Sequence, residues 1–193
     1  MAEPIEPLEA ELRALGLHLR TDWVRACVVH IRSANPNFSN QPLPQQVQQI
    51  YMHFLQCDLN LAGAGTLPRV EDMHAVKLEG RYVVQVDEIT NISQGSKTRY
   101  QRADASVSRC LKLSLTDGAQ RVTALEYKPI RALHVHAPAG LKVAITDAFV
   151  RGGMLLLLPE NLDILGGQVE RLEQAREKVA DCFNMDAAQA RLK

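Results

Sequence analysis

The sequence has little of what strong nucleic-acid binding or membrane insertion requires. Lysine plus arginine equals aspartate plus glutamate, at 22 residues each, so no excess of positive charge is available to neutralise a phosphate backbone. Aromatic residues make up only 5% of the chain, which is few for a protein that stacks the bases of a single strand. The longest apolar run, Met154 to Leu158, has five residues and is far too short to span a membrane.

Cysteine is also scarce and is not arranged for a metal or a redox pair. No two cysteines are spaced as Cys-x-x-Cys, and the N-terminus is acidic and lacks an apolar core of signal-peptide length. These features favour reduced cysteines packed inside an intracellular protein. The four cysteines are Cys27, Cys57, Cys110 and Cys182.

Motifs of catalysis are missing as well. The stretch 63–66, Gly-Ala-Gly-Thr, lacks the lysine of a phosphate loop, so a flexible linker explains it better. His134 and His136 are separated by one residue, but no third ligand lies nearby, so loop histidines are expected rather than a zinc site. We therefore predict that the chain is not an enzyme and carries no metal or cofactor.

The first 60 residues show helical periodicity in three segments. Apolar residues recur three and four positions apart in each segment, which gives each helix one stripe to bury. This pattern predicts a compact three-helix bundle over 1–60, followed by a linker over 61–79. The stripes are Leu8, Leu12 and Leu15; Val24, Cys27, Val28 and Ile31; and Val47, Ile50, Tyr51 and Phe54.

From about Gly80 the apolar period changes to two, which is typical of strands. Further strands are predicted at about 110–116, 120–127, 141–149 and 153–158, and Asp117-Gly118 marks a hairpin turn. Five short strands after a helical prelude predict an α+β fold, in which a three-helix bundle packs on a five-stranded OB-fold barrel at 80–167. A small β-sandwich is the alternative.

A C-terminal helix is predicted over 168–193. Its apolar seam includes Val169, Leu172, Val179 and Phe183, and its other face carries alternating charges.

The segment 93–109 has no periodicity and is predicted to be a long loop inserted between the first two strands. Its basic residues outnumber one acid, Asp104, and Tyr100 lies among them. A solvated surface loop is one interpretation, and contact with a phosphate backbone or an acidic protein surface is the other. The basic residues are Lys97, Arg99, Arg102 and Arg109.

An ordered set of short motifs along the chain resembles the RecQ-mediated genome instability protein 1 family. It begins with Trp23-x-x-Ala26-Cys27 and Phe54-Leu55-x-x-Asp58-Leu59 in the helical part. Leu113-x-Leu115-Thr116-Asp117-Gly118 and Glu126-Tyr127-x-Pro129-Ile130 follow in the barrel. The set ends with Leu155-Leu156-Leu157-x-Pro159-Glu160-Asn161 and Ile164-Leu165-Gly166-Gly167.

The resemblance implies a non-enzymatic scaffold that binds topoisomerase III, a type IA topoisomerase. That scaffold works in the nucleus with a Bloom-type RecQ helicase, in a complex that dissolves double Holliday junctions. The chain is then a monomer within a heteromeric complex, with weak or indirect DNA contact and no membrane association. The implied docking residues are Lys142, Tyr127 and Pro129, and the implied gate loop is the segment 93–109 with Lys97, Arg99, Tyr100, Arg102 and Arg109.

Two features depart from the family pattern. The insertion is short, and the second OB domain of longer members is not expected within this sequence, either by nature or by truncation. Two other interpretations stay open: an OB-fold protein that binds single-stranded nucleic acid, and the related topoisomerase-binding barrel of Tudor-domain-containing protein 3.

Overall fold

The computed structural model describes residues 5–95, 98–106 and 108–178. The helices are α1 (Glu6–Ala14), α2 (Thr21–Ala34), α3 (Leu43–Gln56) and the short α4 (Leu59–Ala62), with 3₁₀ turns at Phe38–Asn40 and Val70–Asp72. The strands are β1 (Val76–Asn91), β2 (Leu111–Thr116), β3 (Arg121–Glu126), β4 (Leu141–Arg151), β5 (Met154–Leu157) and β6 (Leu162–Gly166). Residues 170–178 form a C-terminal helix.

The predicted helical bundle is confirmed by α1, α2 and α3. The stripe of α2 is buried completely, because its apolar residues follow the helical period from the first turn to the last. Leu15 is the exception in α1: it lies just past the last helical residue and is 51% exposed.

The predicted five-stranded barrel is also confirmed. Strand β1 pairs antiparallel with both β2 and β4, and β3 pairs parallel with β5, so the sheet closes on itself in the order β1-β2-β3-β5-β4. Strand β6 was not predicted and adds to β4 outside this ring. It has only one buried residue, Leu162, and so carries no period-two pattern.

Strand β1 begins at Val76, which is earlier than the sequence indicated. Gly80 has a left-handed φ of 101°, and the pairing with β4 shifts register between Leu78 and Arg81. This bulge interrupts the alternation of buried and exposed residues. The strand pattern is therefore visible in the sequence only after about Gly80.

The β2–β3 hairpin turns at Asp117 and Gly118, as predicted. The Asp117 carboxylate accepts hydrogen bonds from the backbone N–H groups of Ala119 (3.0 Å) and Gln120 (2.9 Å) inside the turn. Its other oxygen accepts from Thr66 and Leu67, both at 3.0 Å. The stretch 63–66 is therefore held against the hairpin, and its interpretation as a flexible linker is wrong.

The helical bundle covers one side of the barrel. Val83 of β1 and Ala144 of β4 belong to the helical core rather than to the barrel core. The next pair on the same face of these strands is Gln85 opposite Lys142, and both side chains are fully buried. Gln85 accepts a hydrogen bond from Leu59 N at 2.8 Å and donates to Asp58 at 3.0 Å, so α4 is tied to the barrel by polar contacts as well as apolar packing.

The structure describes three of the four cysteines and both members of the predicted histidine pair. Cys27, Cys57 and Cys110 are free thiols, whereas Cys182, Val179 and Phe183 lie outside the described residues. His134 and His136 lie in a turn region, and no cluster of three or more metal-ligating side chains occurs in the part of the chain that the structure describes. No helix among the described residues is long and apolar enough to cross a membrane.

Candidate partner-binding surface

The open side of the barrel is an outer wall formed by outward-facing side chains of all five barrel strands. Strand register sets this surface, because alternate residues of a strand point to opposite faces of the sheet. One row across the wall runs Thr90–Lys112–Leu125–Leu156–Phe149, from β1 to β4. The neighbouring row runs Glu88–Ser114–Thr123–Met154–Arg151.

One half of this wall is apolar, and we call it the apolar strip. Two large side chains stand out of it: Tyr127 is 66% exposed and Phe149 is 52% exposed. Leu156 lies between Leu125 of β3 and Phe149 of β4 in the register, and Tyr127 follows Leu125 by two residues. Contiguous exposed apolar residues on a folded domain mark interaction surfaces. The strip comprises Leu125, Tyr127, Phe149, Met154 and Leu156.

The other half of the wall holds a polar groove of about 240 Å³ between β1, β2, β3 and the insertion. Tyr100 of the insertion forms one side, and its hydroxyl donates to Glu88 at 2.7 Å. Partial burial and this carboxylate raise the pKa of Tyr100 to about 12, so the phenol keeps its proton. The groove is lined by Glu88, Thr90, Arg99, Tyr100, Lys112, Ser114 and Thr123.

The described part of the insertion has no helix or strand, as predicted, yet it is anchored at several points. Asn91 N donates to Arg99 O at 2.9 Å, and Ile92 N donates to Cys110 O at 2.9 Å, which closes the base of the loop. Arg99 and Arg102 are exposed, whereas Lys97 lies outside the described residues.

Arg109 was predicted to belong to the exposed basic loop, and this prediction is wrong. Its side chain is 3% exposed and forms an ion pair with Glu126, which is fully buried. The guanidinium also donates to Ile130 O at 2.9 Å and to Ala103 O at 3.2 Å. Glu126 in turn accepts from the backbone of Leu111 and Ile130. A charge buried at this position requires a partner, and Glu126 provides it. Through this ion pair Arg109 fastens the end of the insertion to the barrel.

Lys142 was predicted to point outward and meet a partner, and this prediction is also wrong. Its side chain is fully buried, and its ammonium donates to Gly140 O at 2.7 Å and to Leu55 O at 3.4 Å. The ammonium also lies 5.7 Å from the centre of the Phe54 ring. The side chain faces away from the barrel core, but the end of α3 covers that face, so Lys142 offers no surface to a partner.

Burial lowers the pKa of Lys142 to about 8, although Cys57, Asp58 and Asp87 nearby favour its charged form. Burial alone would raise the pKa of Asp58, but donors from Gln85, Asn60 and Arg171 hold it below its usual value. Arg171 reaches Asp58 from the C-terminal helix at 2.7 Å. The junction of bundle, barrel and C-terminal helix is thus a polar network whose inner members, Lys142, Gln85 and Asp58, are buried.

The predicted docking residues Tyr127 and Pro129 follow β3 at one end of the apolar strip, and Pro129 is half-buried. Sequence reasoning missed Lys112, Phe149 and the groove. The period-two pattern of β2 places Lys112 outward between Leu111 and Leu113, so the sequence did contain the signal for Lys112. The sequence contains no signal for the pairing that brings Phe149 beside Leu156, because sequence alone does not give the register of distant strands.

Comparison with known proteins places both parts of the chain in one family. Residues 67–180 match the family model described as RMI1, N-terminal OB-fold domain, and residues 12–62 match RMI1, N-terminal helical domain. The RecQ-mediated genome instability protein 1 of Arabidopsis thaliana is 42% identical over 174 residues, which are 90% of this chain and 27% of that protein. The Oryza sativa protein of the same name is 40% identical over 186 residues, 95% of this chain and 22% of that protein.

A second kind of relative matches less of the chain. Tudor domain-containing protein 3 of Danio rerio is 32% identical over 120 residues, which are 61% of this chain and 16% of that protein.

The chain spans about a quarter of the length of the Arabidopsis thaliana and Oryza sativa relatives.

Proposed function

The chain belongs to the RecQ-mediated genome instability protein 1 family, and we propose that it is a non-enzymatic scaffold that binds a type IA topoisomerase, topoisomerase III. In this proposal the chain modulates the DNA gate of the enzyme within a RecQ helicase complex that dissolves double Holliday junctions. It works in the nucleus, as a monomer within that complex.

The apolar strip carries the proposal. Tyr127 and Phe149 hold two bulky side chains in solvent on a barrel whose other side is already covered by the helical bundle. Complete burial of a large apolar side chain is worth about 1.5–3 kcal/mol, and Tyr127 and Phe149 each keep half or more of their surface to bury in an interface. Exposed aromatic residues are also typical anchors of protein interfaces. The strip thus has the chemistry of a docking surface for a folded protein.

The insertion supports the second half of the proposal. It lines the polar groove, where Lys112 pairs with Leu125 of the apolar strip, and it is fastened at its base by Arg109 and Asn91. A partner that docks on the strip and extends over the groove therefore meets the exposed residue Arg99. We assign the docking energy to the strip and the effect on the DNA gate to the insertion.

Calorimetric titration of the chain into its cognate type IA topoisomerase tests the docking surface. We expect micromolar or tighter binding, and at least tenfold weaker binding by a Tyr127→Ala/Phe149→Ala double variant, because that variant removes both anchors. Met52→Ala is the matched control: Met52 is 52% exposed on α3, as exposed as Phe149, but lies on the helical bundle.

Equal affinity of the double variant and the control would place the docking surface elsewhere on the chain. The absence of binding by the unchanged chain would refute the proposal itself.

A further inference from the structure

Strand β6 has one paired edge and one open edge. It lies at the end of the strand order and, in the part of the chain that the structure describes, pairs only with β4. On the paired side, Thr146 N donates to Asn161 O at 2.9 Å, just before β6 begins. Alternate residues of an antiparallel strand direct their N–H and C=O groups to opposite edges. Those of Leu162 and Ile164 therefore point away from β4.

The outer edge of β6 is ready to pair with another strand. Among the described residues, no group forms a hydrogen bond with the outward N–H and C=O of Leu162 and Ile164. The side chain of Ile164 is 39% exposed beside them. Proteins usually protect such an edge with lysine, proline or a bulge, but the sequence of β6 contains neither lysine nor proline. Its single charge, on Asp163, pairs with Arg81 at 2.8 Å.

Both ends of β6 are fixed, although its outer edge is open. Before the strand, the Asn161 side chain accepts a hydrogen bond from Leu158 N at 2.8 Å and donates one to Leu156 O at 3.1 Å. After the strand, Gln168 N donates to Leu55 O at 3.1 Å. A ligand thus meets an edge that already has strand conformation, which lowers the entropy lost on binding.

We infer that the open edge of β6 binds an extended segment of a partner protein, which adds to the sheet as a further strand. The residue opposite Ile164 exchanges two backbone hydrogen bonds with it and places its side chain beside Ile164, so an apolar side chain fits there. This contact does not depend on the proposed docking of a topoisomerase on the apolar strip.

The exposed carboxylate of Asp163 defines the neighbouring position of the segment. Its side chain is 64% exposed, and Arg81 occupies only one of its two oxygens, Oδ2. Within the described residues the other oxygen accepts no hydrogen bond, so a lysine or arginine of the segment can pair with it. The expected ligand is therefore an extended segment in which an apolar residue adjoins a basic one.

A second copy of the chain is the competing occupant, and the edge suits it less. Strand β6 has five residues, so two paired copies would share an interface only about 16 Å long. A stable dimer buries roughly 1,200 Å² or more, which so short a contact does not provide. Antiparallel pairing about Ile164 would also place the two Asp163 carboxylates at diagonal positions on one face, where they repel each other.

Nuclear magnetic resonance titration of the isotope-labelled chain with the peptide acetyl-Thr-Lys-Val-Lys-Thr-amide tests the inference. The central valine faces Ile164, and a lysine on each side serves either strand direction. We expect a dissociation constant on the order of 1 mM, with shifts centred on residues 162–166 and slower hydrogen exchange of the Ile164 amide. Methylation of the valine nitrogen should abolish binding, because this nitrogen donates to Ile164 O. Methylation of the second lysine nitrogen, which points away from the edge, is the matched control.

Ile164→Pro tests the same hydrogen bonds from the side of the protein. Proline is tolerated on an edge strand where the N–H faces solvent, so the pairing of β6 with β4 should persist, as circular dichroism checks. We expect about tenfold weaker peptide binding, the loss typical of one missing hydrogen bond. Ile164→Ala keeps the N–H group and should bind more tightly than Ile164→Pro.

The inference is overturned by an absence of shifts at millimolar peptide, by equal binding of the two methylated peptides, or by equal binding of Ile164→Pro and Ile164→Ala. Equal binding of a peptide with glutamate in place of lysine would overturn the expected basic residue. A dimer of the unchanged chain in sedimentation, absent in Ile164→Pro, would assign the edge to a second copy. Topoisomerase affinity is measured separately on Ile164→Pro, and we expect no change. Failure of the strand contact thus leaves the proposed docking function standing, and the reverse.

Discussion

Burying the ammonium of Lys142 costs free energy that its neighbours offset only in part. Two carbonyl groups accept hydrogen bonds from the ammonium. The pKa of Lys142 still falls to about 8, because the effect of burial outweighs that of the nearby groups that favour the charged form. Leu141 and Val143 beside it face the barrel core. Alternation along β4 correctly places Lys142 on the opposite face, but alternation cannot tell that another domain covers that face.

This environment predicts an unusual pH dependence of stability. Lys142 loses its proton near pH 8 in the folded chain and near pH 10.4 in the unfolded chain, so the unfolded state binds more protons between these values. The free energy of unfolding contributed by Lys142 therefore rises with pH across this window, by about 3 kcal/mol at most. Cys57, Asp58 and Asp87 face the same ammonium and temper the effect.

Urea unfolding of the unchanged chain and of Lys142→Met, at several pH values between 7.5 and 10, checks this predicted pH dependence of the free energy of unfolding. The unchanged chain should gain stability relative to Lys142→Met as the pH rises. A constant difference between the two chains over this range would show that Lys142 titrates as an exposed lysine does.

At the scale of elements, most of the helices and strands could be predicted from helical periodicity and turn chemistry. The stripe of α2 and the Asp117-Gly118 turn depend on residues that are neighbours in sequence, so they are visible before folding. Strand β6 and the packing of α4 against the β2–β3 hairpin depend on residues far apart in sequence. The helix and the hairpin meet at two glycines, Gly63 and Gly118, where backbones touch.

We expect Gly63→Ala to destabilise the fold by about 1–3 kcal/mol, because overpacking shifts the backbone on both sides. A Cβ at Gly63 would lie 2.4 Å from Asp117 O and 3.0 Å from Gly118 Cα. Gly95→Ala is the matched control, since a Cβ there meets nothing within 4 Å. Chemical denaturation of both variants gives the comparison, and equal stabilities would mean that the contact between α4 and the hairpin is loose.

At the scale of the whole molecule, the helical bundle and the insertion divide the barrel surface between them. The bundle covers Val83, Gln85, Lys142 and Ala144, and this burial leaves the opposite wall as the open face. The motifs in the sequence indicated the family and the insertion. They could not separate buried from exposed charges, because Arg109 and Lys142 look in sequence like any other surface cation.

In the proposed function, the apolar strip docks on the topoisomerase and the insertion acts on the DNA gate. Replacing residues 95–107 with a short Gly-Ser linker keeps Arg109 and Asn91, and therefore the ion pair to Glu126 that fastens the barrel end. The fold and the topoisomerase affinity of this variant should stay close to those of the unchanged chain. Circular dichroism and calorimetry confirm these two conditions before activity is compared.

The decisive measurement is the rate at which the cognate type IA topoisomerase and its RecQ helicase together dissolve a double-Holliday-junction substrate, with and without the chain. We predict that the unchanged chain stimulates this rate and that the 95–107 replacement loses most of the stimulation while it still binds. Stimulation by the replacement equal to that of the unchanged chain, or none by the unchanged chain at saturating concentration, would contradict the account.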